Sequence, residues 1–221
     1  HIHKSSVRDR LVHHAVYQVL YRFYDKIFIS DSYSCRENKG THKALKRFTR
    51  FSRSASKNNT KTCWVLKCDI KKFFDNINHE ILLNILKQQI ADQDIIWLIQ
   101  NILDSFHKIE PGVGLPLGNI TSQLFVNIYM NEFDQFVKHQ LKEKQYIRYA
   151  DDFVVFSDNK KYLESLVAVM QNFLLARLCL RLHPNKLFIK TLASGIDFLG
   201  WVHFPDHRVL RTTTKRRMFK K

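Results

Sequence analysis

Hydrophobic residues recur at helical spacing in several parts of the chain. Between residues 7 and 23 they fall three or four positions apart, which predicts a helix with one apolar face. That face is expected to hold Val7, Leu11, Val12, Ala15, Val16, Val19, Leu20 and Phe23. Similar spacing predicts further helices over residues 78–90, 92–106, 120–139 and 162–178. Each of these helices would bury one side against the rest of the protein.

Runs of β-branched and aromatic residues lie between these helices and predict strands. They cover residues 63–69, 146–149, 153–156, 187–189 and 196–203. Ala150, Asp151 and Asp152 separate the second run from the third, as in a hairpin, and residues 111–119 form a loop rich in Gly and Pro. From residue 63 to residue 189 the order is strand, helix, further helices, two strands, helix and strand. This order predicts an α+β fold, a ferredoxin-like βαββαβ core with a helical insertion between the first helix and the hairpin.

Composition and charge indicate a folded protein that binds a polyanion. Hydrophobic residues make up 45% of the 221 positions and aromatic residues 13%, which is enough to bury a core and excludes disorder of the whole chain. Lys and Arg number 36 against 20 Asp and Glu, so the formal charge is +16. Nucleic acid is the expected partner of so basic a protein. An anionic membrane surface ranks lower because the basic residues are spread through a folding sequence.

One stretch, residues 38–68, contains many basic residues and no acidic residue. Within it four basic side chains fall at i, i+3, i+4 and i+7, namely Lys43, Lys46, Arg47 and Arg50. Leu45, Phe48 and Phe51 lie on the opposite side, which predicts a helix with a core face and a basic face. An ordinary solvated face usually carries both signs of charge, whereas here only one sign occurs. We therefore expect this basic face to contact nucleic-acid phosphates.

The sequence shows no sign of a membrane span or a secretion signal. No apolar run reaches the roughly 18 residues of a spanning helix, and the first residues do not have the composition of a signal peptide. The cysteines, Cys35, Cys63, Cys68 and Cys179, include no C-x-x-C pair, so free thiols in a reducing compartment are expected rather than a zinc site. A cytoplasmic location without membrane contact follows as the expectation.

Three aspartates are the strongest candidates for chemistry. Asp69 ends the first predicted strand, and Asp151 and Asp152 lie at the hairpin tip, where neighbouring strands would bring them beside Asp69. Carboxylates that converge in this way repel one another unless divalent cations neutralise them, and Mg²⁺, with Mn²⁺ as a substitute, suits such hard oxygen ligands. Two ions about 3.5–4 Å apart would activate an attacking hydroxyl and stabilise a leaving pyrophosphate. Alternatively, Asp151 and Asp152 are solvated turn residues, as most Asp-Asp pairs are.

The residues around the aspartates favour the chemical interpretation. Tyr149-Ala150-Asp151-Asp152 lies between two apolar strands, and Asp69 opens the segment Asp69-Ile-Lys-Lys-Phe-Phe-Asp-Asn-Ile. With these segments the chain resembles the reverse transcriptase family, which copies RNA into DNA, over nearly its whole length. The resemblance implies that Asp69 and Asp151 are the two main metal ligands. It also implies that Asp152 is an adjacent carboxylate and that the Ile70 carbonyl is a backbone ligand.

The same resemblance implies the organisation of a right-hand polymerase. Residues 1–62 would be part of the fingers, residues 63–203 the palm with an inserted fingers or helical segment, and residues 204–221 a basic tail that begins the thumb or connection. The implied partners are a template RNA, a DNA or RNA primer and dNTPs. Full enzymes of the family have more residues before the present start and a helical thumb after the present end, and the chain does not begin with Met. We therefore expect it to be a fragment.

Phe74, five residues after Asp69, matches the steric gate of the family. A bulky ring beneath the sugar would clash with a 2′-hydroxyl and so select deoxynucleotides. RNA-templated RNA polymerases resemble this arrangement but usually have Asp at that position and GDD in the hairpin. The alternative is that Phe74 is a core aromatic residue beside Phe73.

Other basic and aromatic residues match family positions that contact substrates. Arg36 and Lys39 lie in a segment whose cations hold the incoming triphosphate, where Arg offers bidentate contact, or they contact RNA in the fingers. Lys186 resembles the lysine that protonates pyrophosphate, or is a surface lysine. Phe198-Leu-Gly-Trp201 resembles the primer-grip hairpin, which implies that Trp201 contacts nucleic acid.

The segment from Gly114 to Gln123, Gly-Leu-Pro-Leu-Gly-Asn-Ile-Thr-Ser-Gln, indicates which member of the family the chain resembles. Most reverse transcriptases have Gln in place of Leu117 and Ser-Pro in place of Ser122-Gln123, whereas this form resembles the enzymes of diversity-generating retroelements. Those enzymes misincorporate at template adenines and commonly have a small basic accessory protein. The resemblance implies that Leu117 lies at the nucleotide site and that Gly118 contacts nucleic acid. The alternatives are a group II intron or other bacterial retroelement enzyme, and a non-catalytic, maturase-like RNA-binding protein.

Overall fold

The computed structural model describes residues 6–106 and 110–220. Helices of at least two turns cover Val7–Tyr24 (α1), Thr41–Ala55 (α2), His79–Lys87 (α3), Gln93–Asp104 (α4), Ile120–Gln135 (α5), Lys160–Leu178 (α6) and Thr212–Met218 (α7). Strands cover Trp64–Asp69 (β1), Tyr146–Tyr149 (β2), Asp152–Ser157 (β3), Phe188–Thr191 (β4), Ile196–Phe198 (β5), Trp201–His203 (β6) and Arg208–Leu210 (β7). A π-helical turn, Phe136–Gln140, continues α5. The predicted helices and the first four predicted strands are therefore present.

The central sheet has four antiparallel strands in the order β2-β3-β1-β4. This is the strand order that a ferredoxin-like βαββαβ chain produces, with the first and third strands in the centre. The α+β prediction is confirmed. Strand β1 owes its central place to a run of buried side chains, of which Val65, Leu66 and Cys68 are all fully buried. A strand that is buried on both faces reads as an almost continuous apolar run.

Helices cover one face of this sheet. Helix α6 packs against β1, β3 and β4, and α5 reaches the sheet through Phe133, whose ring lies 5.2 Å from that of Phe153. Helices α1 and α3 pack on α5, and α4 packs on α3. The helix that supports the hairpin is thus the last one before it. Helices α3 and α4, which precede α5 in the chain, pack behind it through α3.

Helix α2 covers the opposite face and links the two sheets. The ring of Phe48 contacts that of Phe156 on β3 at 4.8 Å and that of Phe198 on β5 at 5.3 Å. Strands β5, β6 and β7 form the second, three-stranded antiparallel sheet. Both N-terminal helices, α1 and α2, therefore pack on elements that were assigned to the palm. The predicted boundary between fingers and palm at residue 62 remains a prediction.

The predicted apolar face of α1 is correct only for Val16 and Leu20, which are buried. Val7, Leu11 and Val19 are 68%, 68% and 64% exposed. The other residues on the buried side of the helix are His13, Tyr21 and Tyr24, none of which was predicted to lie there. Two of these side chains have internal polar partners: His13 Nδ1 lies 2.7 Å from Thr121 Oγ1, and the Tyr21 hydroxyl accepts a hydrogen bond from the Glu37 amide. Hydrophobic spacing could not reveal those partners.

The C-terminal part adds two elements that the sequence pattern did not predict. Strand β7 pairs with β6, with Val202 opposite Val209, and the short basic helix α7 follows it. A turn at Leu199 and Gly200, both with positive φ, joins β5 to β6. Among the described residues, no helix combines the length and the apolar character that crossing a bilayer demands.

Candidate active site

The three aspartates lie at one end of the central sheet. Asp69 and Asp152 face each other as a cross-strand pair of β1 and β3. The amide of Ile70 donates a hydrogen bond of 3.1 Å to the carbonyl of Asp151. Antiparallel pairing therefore places residues that are 82 or 83 positions apart in the chain beside one another, as the sequence analysis expected.

Burial and mutual repulsion raise the pKa of two of these carboxyls. Burial raises the pKa of Asp152 to about 6, an effect that Lys67 opposes and that the charges of Asp69 and Asp151 reinforce. Burial also raises the pKa of Asp151, and the charge of Asp69 adds to this effect. A site that disfavours the anionic form of its carboxylates favours the arrival of a cation.

Two lysines neutralise part of this charge. Lys67 Nζ lies 2.9 Å from Asp152 Oδ1 and donates a hydrogen bond of 3.0 Å to Oδ2. Lys186 Nζ lies 3.0 Å from both carboxylate oxygens of Asp69, and this hydrogen bonding raises the pKa of Lys186. Lys186 was among the predicted site residues, whereas Lys67 was not. The alternation of strand β1, which places Lys67 on the same side of the strand as Asp69, could have identified Lys67 from the sequence.

The donor atoms suit a hard divalent cation, although the side chains are not arranged around one. Across residues 6–106 and 110–220, no group of three or more His, Cys, Asp or Glu side chains has the geometry of a metal site. The oxygens of Asp69 and Asp152 face lysine ammonium groups, and Asp152 Oδ1 accepts no hydrogen bond of good geometry. Carboxylate oxygens beside a backbone carbonyl are what Mg²⁺ prefers. For such an ion to bind Asp69, Lys186, whose side chain is 54% exposed, would have to move away from it.

The loop that carries Leu117 packs against the segment that follows Asp69. The amide of Leu115 donates to the Phe74 carbonyl at 2.8 Å, and His79 Nε2 lies 2.7 Å from the Gly114 carbonyl. Leu117 itself is 47% exposed. Gly118 has a φ of +112°, a conformation that only glycine adopts readily. The structure therefore brings the predicted nucleotide-site loop and Phe74 together.

The ring of Phe74 is partly buried. It lies 5.6 Å from the ring of Phe73 in an edge-on arrangement and packs at the border of the larger core. Both interpretations of this residue therefore have support, since a ring that is only partly buried retains a face for a ligand.

Arg36 is engaged inside the protein. Its side chain is only 4% exposed, and Nε lies 2.7 Å from Asp25 Oδ1. Nη1 donates to the carbonyls of Ile29 and Ser32, and Nη2 donates to the carbonyl of Asp25. All three guanidinium nitrogens thus have protein acceptors, so Arg36 stabilises the turn between α1 and α2. Lys39 is held by fewer partners than Arg36. Its ammonium group donates to one carbonyl, that of Ser30, and lies 5.2 Å from the centre of the Tyr33 ring.

The basic face of α2 divides into two parts. Lys43, Lys46 and Arg50 are exposed. Arg47 instead forms an ion pair of 2.7 Å with the buried Asp31 and lies 4.3 Å from the centre of the Phe51 ring. A guanidinium held in this way contributes to packing, which leaves three residues for phosphate contact.

A cleft of about 460 Å³ connects the aspartates with the β5–β6 hairpin. Lys67, Asp69 and Lys186 line one side, and Gly200 and Arg211 line the other. Trp201, on the same hairpin, is partly buried, and the Arg208 guanidinium lies 4.8 Å from the centre of its ring. The hairpin that was expected to grip a primer therefore borders the site of the aspartates.

Comparisons with known proteins give a matching family model and several relatives. A family model described as "Reverse transcriptase (RNA-dependent DNA polymerase)" matches residues 2–203. Protein YkfC of Escherichia coli strain K12 is 25% identical over 95% of this chain and 63% of its own length. The group II intron-encoded protein LtrA of Lactococcus lactis subsp. cremoris is 25% identical over 96% of this chain and 45% of its own. The chain therefore spans less than two thirds of these relatives.

The fold also matches solved structures. Apo telomerase from Candida tropicalis, truncated from its C-terminal domain, superposes with a TM-score of 0.67 over 90% of this chain and 45% of that chain. Sequence identity in this alignment is 16%, so the likeness concerns the fold alone.

Proposed function

Because the chain belongs to the reverse transcriptase family, we propose that it is an RNA-directed DNA polymerase that extends a primer along a template RNA. The observation that carries this proposal is the cross-strand pairing of Asp69 with Asp152, with Asp151 bonded through its carbonyl to the next residue of β1. Such a group of carboxylates lowers the stability of a fold, and acids perturbed in this way are typical of functional sites. A non-catalytic, maturase-like protein has no need to keep it.

Asp69, Asp151 and the Ile70 carbonyl would hold Mg²⁺, with Mn²⁺ as a substitute. When bound, two such ions lower the pKa of an attacking hydroxyl and stabilise the charge on a leaving group. Lys186 exchanges its contact with Asp69 for the leaving pyrophosphate and supplies it with a proton. Lys67 holds Asp152 in place through a short ion pair.

The remaining predicted residues would bind substrates around this centre. Phe74 and the Leu117 loop form the floor of the nucleotide site, and Lys39 contacts the triphosphate of a dNTP. The exposed basic face of α2 holds phosphates of template RNA, for which a chain with a formal charge of +16 is suited. The cleft beside Trp201 receives the primer end.

Primer extension on a defined RNA template tests the proposal. Wild type is expected to extend a DNA primer with Mg²⁺ and dNTPs, whereas Asp151→Asn, which keeps the shape but removes the charge, is expected to make no product. Asp158→Asn, at an exposed position beyond β3, is the matched control and should behave as wild type. Equal product from wild type and Asp151→Asn would contradict the proposal.

Within this activity we propose the diversity-generating type. Leu117 in place of the usual amide removes a polar contact beside the nascent base pair, which would lower discrimination. Sequencing of cDNA is expected to show errors concentrated opposite template adenine. A small basic accessory protein would complete such an enzyme, with RNA between the two positively charged proteins.

The second candidate is an enzyme of a group II intron, and the likeness to the intron-encoded protein LtrA supports it. The same sequencing experiment separates the two, because an intron enzyme copies its template with no particular error at adenine. Equal error rates opposite all four bases would favour the intron type.

A further inference from the structure

Arg148, on strand β2 just before the Tyr149-Ala150-Asp151-Asp152 turn, is a fully buried charge. Its side chain and that of its partner Asp134 on α5 are both 0% exposed. Arginine is seldom fully buried unless it is paired, and here the pair is bidentate. Nε donates to Asp134 Oδ1 at 2.8 Å, and Nη2 donates to Oδ2 at 2.7 Å.

The rest of the guanidinium is also engaged. Nη2 donates to Ser32 Oγ at 3.0 Å, and Nη1 donates to Asn127 Oδ1 at 3.3 Å and to the Ala150 carbonyl at 3.0 Å. Arg148 therefore connects helix α5, the segment after α1 and the turn that carries the aspartates. The backbone repeats this connection, because the Arg148 amide donates to the Asp31 carbonyl and the Arg148 carbonyl accepts from the Tyr33 amide.

The turn at Ala150 needs such support. Ala150 has a φ of +56°, in the left-handed region that residues with a Cβ adopt only at an energetic cost. A conformation of this kind persists when its surroundings hold it. Besides the pairing of Tyr149 with Asp152, one side-chain restraint is the hydrogen bond from Arg148 Nη1 to the Ala150 carbonyl. Asp151 and Asp152 follow directly, so any relaxation at Ala150 moves them relative to Asp69.

We infer that Arg148 is a positioning residue, whose guanidinium fixes the Ala150 turn on α5 and thereby sets where Asp151 and Asp152 face Asp69. The inference rests on the proposed function. Stability alone does not account for the pair, because replacing a buried ion pair by apolar residues of similar volume is often neutral or stabilising. Only arginine has a planar guanidinium group that can bond to a carboxylate and a carbonyl at the same time.

The deciding variant removes the charged pair together with the tyrosine hydroxyl bonded to it. Arg148→Met, Asp134→Leu and Tyr146→Phe together delete the ion pair and the hydroxyl that donates to Asp134, and so leave no unpaired charge in the core. The variant is expected to melt as wild type does, whereas kcat for primer extension falls about 100-fold with little change in the KM for dNTP, since displaced catalytic groups have an effect of that size. Arg22→Met makes the same Arg-to-Met replacement at an exposed position on α1, outside the buried network, and serves as the control.

Hydrogen exchange of the Ile70 amide reports on the turn without any catalysis, because this amide donates to the Asp151 carbonyl. It is expected to exchange faster in the triple variant than in wild type. A folded triple variant with wild-type kcat, or with unchanged Ile70 exchange, overturns the inference. If wild type makes no Asp151-dependent product, the proposed function fails while the exchange measurement still tests Arg148.

Arg148→Lys gives a second test if the triple variant does not fold. Lysine keeps the charge opposite Asp134 but lacks the fork that also reaches the Ala150 carbonyl. A folded Arg148→Lys protein with reduced kcat and faster Ile70 exchange supports the inference, and wild-type values for either measurement overturn it.

Discussion

The carboxylate of Asp152 should make the protein less stable than it would be with a neutral side chain at that position. Asp152→Asn removes the charge and keeps the shape, so it resembles the protonated form of the residue. Because burial raises the pKa of Asp152 to about 6, the anion costs the folded state free energy at neutral pH even with Lys67 beside it. We therefore predict that Asp152→Asn unfolds at a higher temperature than wild type when divalent cations are chelated.

The size and pH window follow from that pKa. Since each tenfold change in an ionisation constant is worth about 1.4 kcal/mol, a pKa of about 6 in place of 3.8 corresponds to at most about 3 kcal/mol. Between these two values the folded state binds a proton that the unfolded state does not, so wild-type stability falls as pH rises through this window. The variant lacks this dependence. Its advantage should be absent near pH 3.8 and complete above pH 6.

Thermal unfolding with a chelator, followed by circular dichroism across this pH range, measures the effect. For a protein of this size 3 kcal/mol corresponds to about 6–12 °C in Tm. Asp158→Asn, at an exposed position, is the control and should show no pH-dependent gain. A Tm for Asp152→Asn below that of wild type at neutral pH, or a gain independent of pH, would refute the reasoning.

Further predictions concern substrate contacts. Replacing Lys43, Lys46 and Arg50 together by Gln should lower the salt dependence of RNA binding, with the slope of log K against log salt reduced by about two to three, and an unchanged slope would show that α2 does not contact phosphates. Lys186→Gln should reduce kcat by about 100-fold or more in primer extension because it removes a proton donor, and a kcat within experimental error of wild type would assign Lys186 to the surface. Phe74→Val should admit ribonucleotides, measured by competition of rNTP with dNTP, and unchanged selectivity would identify Phe74 as a core residue.

Local sequence patterns were sufficient for most elements up to β6 and for the position of the aspartates. A strand period of two, a turn at Ala150 and a helical period of 3.6 depend on neighbours within a few residues. Antiparallel pairing of two such strands then leaves few positions for Asp69 relative to Asp151 and Asp152. The motifs around the aspartates predicted membership of the reverse transcriptase family. The match of the family model to residues 2–203 confirms this prediction.

Patterns of charge and hydrophobicity were less informative where a side chain has a distant partner. Arg47 was expected to face phosphate because it lies on a basic helix, yet it pairs with Asp31. Arg36 is similarly taken up by Asp25. A sequence lists the charged residues but not the distances between them. Which basic side chains remain available for nucleic acid depends on which of them form ion pairs inside the folded protein.

The sequence by itself therefore determined most strands, most helices and the presence of three acidic residues at one end of a sheet. Only the tertiary structure decided which face of α1 is buried, and that Lys67 and Lys186 pair with the aspartates across 85 and 117 positions of chain. It also decided that Arg148 holds the turn between β2 and β3. The physical reason is that secondary structure follows from short-range periodicity, whereas ion pairs and buried networks depend on contacts that only the folded chain brings together.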